Sequence, residues 1–157
     1  MSIAARLRPN CIRVAPPWHD LRETIAGLVD TLAAAKALPA GAERAAVDAV
    51  LHREAENSTA LLDIGAGVPH ARLSGLSETQ VALAVSAAGL YEAVPTVAIK
   101  IVALVLSPPD SNADHLQVLT EVATLLRSAE LRASLLTARD SAEALAALRL
   151  HAAARAF

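Results

Sequence analysis

Ala98-Ile99-Lys100-Ile101-Val102-Ala103-Leu104-Val105-Leu106, followed by Ser107-Pro108-Pro109-Asp110, is the stretch that decides the fold. Its aliphatic and β-branched residues run almost without a break, and two prolines stop it. A run of that length and make-up reads as a buried strand. The apolar segment Val97 to Leu106 is too short to span a bilayer, and it contains Lys100. A strand buried on both faces needs covering elements on both sides.

The rest of the chain supplies those elements. Towards the C-terminus, helical spacing recurs over Asp114 to Arg127 (Leu116, Leu119, Val122, Leu125, Leu126), Glu130 to Thr137, and Ser141 to about Leu150. Towards the N-terminus, Gln80 to Ala87 alternates in part and reads as a strand. Thr59 to Ile64 reads as another, entering a loop at Gly65-Ala66-Gly67-Val68-Pro69. Before it, Val47, Val50 and Leu51 give a helix from about Ala42 to Glu56. Leu21, Ile25, Leu28, Val29 and Leu32 give one from Trp18 to Leu38, with Asp20 as N-cap and Glu23 three residues on. Cys11 to Val14 reads as a short edge strand ahead of Pro16-Pro17. The order predicts one α/β domain over residues 11–150, a three-layer α/β/α arrangement with a small mixed sheet flanked by helices on both faces. Residues 1–10 are expected to be a flexible leader and 151–157 a C-terminal tail.

Composition agrees with a packed domain. Hydrophobic residues make up 54% and charged residues 19% of the chain, too apolar for disorder. Aromatics are only 2%, namely Trp18, Tyr91 and Phe157, so the core must be Leu, Val, Ile and Ala. A net charge of −2 and scattered arginines argue against nucleic-acid binding. Cys11 is the single cysteine, which excludes an internal disulfide and a cysteine metal cluster. The start of the chain lacks the apolar run of a signal peptide, so a cytoplasmic location is expected.

Five histidines are present, His19, His52, His70, His115 and His151, and none shares the His-x-x-x-His spacing of a zinc helix. No metal and no cofactor is expected. His70 stands apart by context. It follows Pro69, comes just after a Gly-x-Gly turn whose amides can approach an anion, and has Arg72 two residues on. Such a residue is either a nucleophile or general base, or a loop histidine bonded to backbone.

Distant residues favour the reactive reading. Arg53-Glu54 ends the second helix, Ser58-Thr59 follows, then Gly65-Ala66-Gly67-Val68-Pro69-His70-Ala71, and Asp114-His115-Leu116 opens a later helix. This order, from about Cys11 to Leu150, resembles the IIA domain of the bacterial phosphotransferase system, of the fructose/mannitol and nitrogen-regulatory type. The segment Leu90-Tyr91-Glu92-Ala93, the strand after it and Ser107-Pro108 match in layout. The resemblance implies a phosphoryl carrier. A histidine-phosphorylated, HPr-like carrier protein would phosphorylate His70, and His70 would pass the group to a IIB acceptor or hold it as a regulatory signal. Arg53 and His115 would complete the catalytic set, and Ser58 and Thr59 would bind phosphate. The residue types suit transfer that needs positioning and charge stabilisation.

Each residue also has a plainer reading. Arg53 can pair with Glu54, Ser58-Thr59 can be a turn, and His115 can be a helix capper. Arg72 reads as a surface residue that helps hold a docking carrier. The alternative function is a non-catalytic regulatory module of the same fold, controlling a partner by docking. A hydrolase using His70 as base lacks a Gly-x-Ser-x-Gly nucleophile motif.

Overall fold

Strand β8, Ile101–Ser107, is buried along its whole length, as its composition requires. The computed structural model describes residues 2–155 and builds a mixed sheet around this strand. On one side β5, Gln80–Val85, pairs antiparallel with it, from Gln80 opposite Leu106 to Val85 opposite Ile101. Beyond β5 lies β1, Ile12–Val14, in parallel. On the other side β8 pairs in parallel with β3, Ala66–Gly67, and with β4, His70–Arg72. The last strand, β2, Ala60–Leu61, runs antiparallel to β3. Three-layer architecture follows from the side-chain alternation of the two central strands. Val81, Leu83 and Ala103 point to Ile3 and Leu7 of the N-terminal segment, Val122, Leu125 and Leu126 of α4 (Asn112–Leu126), and Leu148 of α6 (Ser141–Arg155). The opposite face is covered by α2, Leu21–Ala34, and α3, Glu43–Glu56, which pack on each other and on β5 and β4. Helix α5, Ala129–Thr137, packs against α4 and α6.

Local rules explain the helix starts. Asp20 caps α2 by accepting the Glu23 N–H at 2.7 Å. Ser128 caps α5 through the Leu131 N–H at 3.2 Å. Among the described residues no helix is long and apolar enough to cross a membrane.

Four expectations need correcting. The sequence predicts a flexible leader over residues 1–10, but Ile3–Arg6 form a short helix, α1, and Ile3, Ala4 and Leu7 are buried. The spacing of Ile3 and Leu7 puts both on one face, and that face completes the core (residue 1 lies outside the described residues). The tail expected at 151–157 continues α6 to Arg155, and residues 156–157 lie outside the described residues. Thr59 to Ile64 yields only a two-residue strand. The run Ala98 to Leu106 is two strands, because exposed Lys100 separates β8 from β7, Val97–Ile99. Strand β7 turns back on β6, Tyr91–Val94, as a separate hairpin.

That hairpin turns at Pro95-Thr96, with Thr96 at φ 71°. Proline suits the first turn position, but the second favours glycine, and a β-branched residue there is strained. Thr96→Gly should therefore stabilise the fold by about 1 kcal/mol, read as a rise of a few degrees in Tm. No change, or a fall, would contradict the strain.

A close contact joins the hairpin to the main sheet. A Cβ on Gly67 would lie 2.8 Å from the Tyr91 hydroxyl, which is buried and has no hydrogen-bond partner among the described residues. Gly67→Ala should cost about 1–3 kcal/mol in denaturant unfolding. Adding Tyr91→Phe should recover part of that loss, and strictly additive effects would refute the contact.

Candidate functional site

The register of β4 against β8 places His70 opposite Val105 and Arg72 opposite Ser107. Ala66 pairs with Ile101 at the same offset, so residues 66–72 follow one strand path along β8. Pro69, which has no N–H to donate, sits in the gap between β3 and β4. The carbonyl of Pro69 still accepts the Val105 N–H at 3.0 Å. His70 is therefore not on the expected glycine-lined loop; it begins a strand. The glycines have other structural roles. Gly67 makes room for Tyr91, and the Gly65 carbonyl accepts the Lys100 N–H at 2.8 Å.

The two nitrogens of His70 have different partners. Nδ1 lies 2.9 Å from the Val68 carbonyl oxygen, which can only accept, so Nδ1 carries the hydrogen. Nε2 receives the Arg53 Nε–H at 3.0 Å, so Nε2 holds the lone pair. Arg53 stands in the last turn of α3, exposed to solvent. Its neighbour Glu54 is buried. The Glu54 carboxylate accepts the Thr59 N–H at 3.2 and 3.3 Å and also the Thr59 hydroxyl. Arg53 and Glu54 thus serve different partners rather than each other. Thr59, expected to bind phosphate, has its hydroxyl hydrogen committed to Glu54. Ser58 is exposed, and its Oγ accepts the Ala60 N–H at 3.3 Å, which leaves its own O–H available.

His115 lies in the first turn of α4 and is buried, with its ring 5.4 Å from that of His70 and inclined by 62°. Its Nδ1 is 2.6 Å from Ser107 Oγ. Burial, followed by the positive charges of Arg72 and Arg53, pushes its pKa down to about 4, and Asp114 opposes the shift. His115 is therefore neutral at pH 7. Arg72 is half-buried and donates from Nη1 to the carbonyls of Pro108 and Pro109 at 3.2 and 3.5 Å. It braces the loop that leads into α4, which differs from the surface reading of the sequence. His70, His115 and Arg53 come together; His52 is exposed beside Glu56, and His151 bonds the Ala147 carbonyl at 3.0 Å.

Sequence reasoning missed the residues behind His115. Thr79 Oγ1 is 3.2 Å from Ser107 Oγ and 2.8 Å from Asp114 Oδ2, and Asp114 Oδ1 meets Arg6 at 2.6 Å. Isolated Ser, Thr and Asp residues carry no motif. Only strand register shows that Thr79, one residue before Gln80, falls beside Ser107.

Comparisons with known proteins bear on the family and the fold. The sequence profile of a family described as "Phosphoenolpyruvate-dependent sugar phosphotransferase system, EIIA 2" matches residues 6–150. A fructose-specific EIIA component of the PTS system from Haloferax volcanii is 37% identical over 97 residues, covering 61% of this chain and 62% of that protein. The chain therefore matches less than two thirds of that relative's length. The nitrogen regulatory protein IIA-Ntr from Neisseria meningitidis has a TM-score of 0.75 at 21% identity, over 93% of this chain and 98% of its own. IIA mannitol from Escherichia coli gives 0.73 at 20%, over 90% and 98%. A complex of enzyme IIA mannitol with phosphorylated enzyme IIB mannitol, also from Escherichia coli, gives 0.72 at 19%, over 91% and 96%. At these identities the structures establish the shared fold.

The depressed pKa of His115 has a signed consequence. The unfolded chain takes up this proton near pH 6.5, and the folded chain only near 4. Between those values the unfolded state binds more protons, so stability falls as pH falls through the window. The ring signals of His115 in an NMR titration should stay at neutral-imidazole positions down to about pH 5. The wild type should lose stability relative to His115→Gln from pH 6.5 to 4. A His115 midpoint near 6.5 would refute the burial argument.

Proposed function

The chain belongs to the EIIA 2 family of the phosphoenolpyruvate-dependent sugar phosphotransferase system, and we propose that it is a phosphoryl carrier whose acceptor atom is Nε2 of His70. The observation that carries this reading is the split partnering of that ring. With Nδ1–H on the Val68 carbonyl, the Nε2 lone pair is aimed at the Arg53 fork. A neutral imidazole with one nitrogen bare and fixed is a competent nucleophile towards phosphorus. The Val68 bond holds the tautomer, and the strand pairing holds the ring.

The donor is a histidine-phosphorylated carrier protein of the HPr type. The bond from phosphorus to the carrier's ring nitrogen breaks as the bond to His70 Nε2 forms. Arg53 then moves its donors from Nε2 to the phosphoryl oxygens, where a planar guanidinium fits best. The exposed Ser58 hydroxyl adds a donor, and His115 flanks the group from α4. Thr59 contributes indirectly, by fixing Glu54 and hence the end of α3. The acceptor is a IIB domain or a regulatory target, met in the cytoplasm, and the chemistry uses no metal or cofactor.

Incubation with phosphoenolpyruvate, the general phosphotransferase enzyme and its carrier should yield one acid-labile phosphoryl adduct by intact mass. His70→Ala should abolish it, and Arg53→Ala should slow its formation by about 100-fold. No adduct with any competent carrier would refute the relay and leave a docking module of the same fold.

A further inference from the structure

Two hydroxyls behind His115 are almost fully buried: Thr79 is 2% exposed and Ser107 is 0% exposed. Buried hydroxyls need partners, and their hydrogens can be counted. Three contacts run in series: His115 Nδ1 to Ser107 Oγ at 2.6 Å, Ser107 Oγ to Thr79 Oγ1 at 3.2 Å, and Thr79 Oγ1 to Asp114 Oδ2 at 2.8 Å. The Asp114 carboxylate can only accept, so the Thr79 hydrogen goes to it. Ser107 then donates to Thr79, and the remaining contact needs a hydrogen from His115 Nδ1. If Nδ1 were bare, only two hydrogens would serve three contacts. Arg6 anchors the far end. Its Nη2 binds Asp114 Oδ1 at 2.6 Å, and its Nη1 donates to the Thr79 carbonyl at 3.3 Å.

We propose that Ser107, Thr79, Asp114 and Arg6 form a polar relay that locks His115 with its hydrogen on Nδ1, so that Nε2 takes up a proton when His70 is phosphorylated. The tautomer is set in the free protein. The proton uptake rests on the carrier reading. In the resting site His115 faces Arg72 and His70 from β4, Arg53 from α3, and Asp114 on its own helix. The two arginines are cations and disfavour a further positive charge beside them. A phosphoryl group on His70 brings negative charge into that cluster and reverses the balance. The proton comes from solvent and settles on Nε2, which then donates to a phosphoryl oxygen. Nδ1–H keeps its bond to Ser107, and the relay carries the imidazolium's stabilisation to Asp114. Helix α1 thus contributes to the site through Arg6 without touching the reacting atoms. These four are positioning residues.

Nitrogen NMR of protein labelled in its histidine rings tests both halves. In the free protein His115 should show a protonated Nδ1 and a bare Nε2. After phosphorylation both nitrogens should be protonated near neutral pH, the midpoint rising from about 4 to above about 6. Thr79→Val, which removes one hydroxyl, should mix the tautomers and slow phosphoryl acceptance by about tenfold. Thr79→Ser should restore both. If Thr79→Val does not fold, Asp114→Asn interrupts the same chain at its acceptor end and should also mix the tautomers. A wild-type His115 with its hydrogen on Nε2, or variants that leave the tautomer unchanged, would overturn the relay. A bare Nε2 in the phosphorylated protein would overturn the proton uptake. Failure to accept a phosphoryl group would refute the carrier reading and proton uptake together, while the tautomer still decides the relay.

Discussion

The register of three neighbouring strands is the constraint on which the site depends. Arg72 of β4 lies opposite Ser107 of β8, and Thr79 falls beside Ser107 at the mouth of β5. Two residues back, His70, Val105 and Val81 form the next row on the same face. A slip of one residue would turn every one of these side chains to the other face of the sheet. The buried aliphatic run of β8 prevents that slip, because shifting it would disturb both packed faces at once. The strand that looks purely structural therefore sets the position of His70.

From that frame the polar chemistry follows by hydrogen counting. His70 and His115 each have Nδ1 held from behind, one by a backbone carbonyl and the other by Ser107. In both rings a bond from behind favours the hydrogen on Nδ1 and leaves Nε2 bare. Arg53 is exposed and arrives from a helix end, whereas Glu54 beside it is buried and ties α3 to Thr59. Two adjacent residues on one helix thus separate the group that meets His70 from the group that holds the scaffold.

Much of the fold was legible because burial leaves a periodic trace. Leu21 to Leu32 and Leu116 to Leu126 show helical spacing, and both segments are helices. The β6–β7 hairpin was not legible, because Pro95-Thr96 lacks the Asn-Gly type of turn signal and the apolar run conceals a break at Lys100. The N-terminal helix leaves no periodic trace, because Ile3 and Leu7 are too few to show one, yet both are part of the core. His70, Arg53 and His115 were legible as a group only through a family resemblance, since they are distant in sequence. Ser107 was legible only as part of the layout after the strand, and Thr79 and Arg6 were not legible at all. Their roles come from strand pairing, which no short motif encodes.

The measurement that tests the central claim most directly is to identify the atom that carries the phosphoryl group. Phosphorus–nitrogen coupling in the phosphorylated protein, with histidine rings labelled, assigns the residue and the nitrogen together. The account predicts phosphorus bonded to Nε2 of His70, with Nδ1 still protonated against the Val68 carbonyl. Phosphorus on Nδ1, or on His115 or any other histidine, would contradict it.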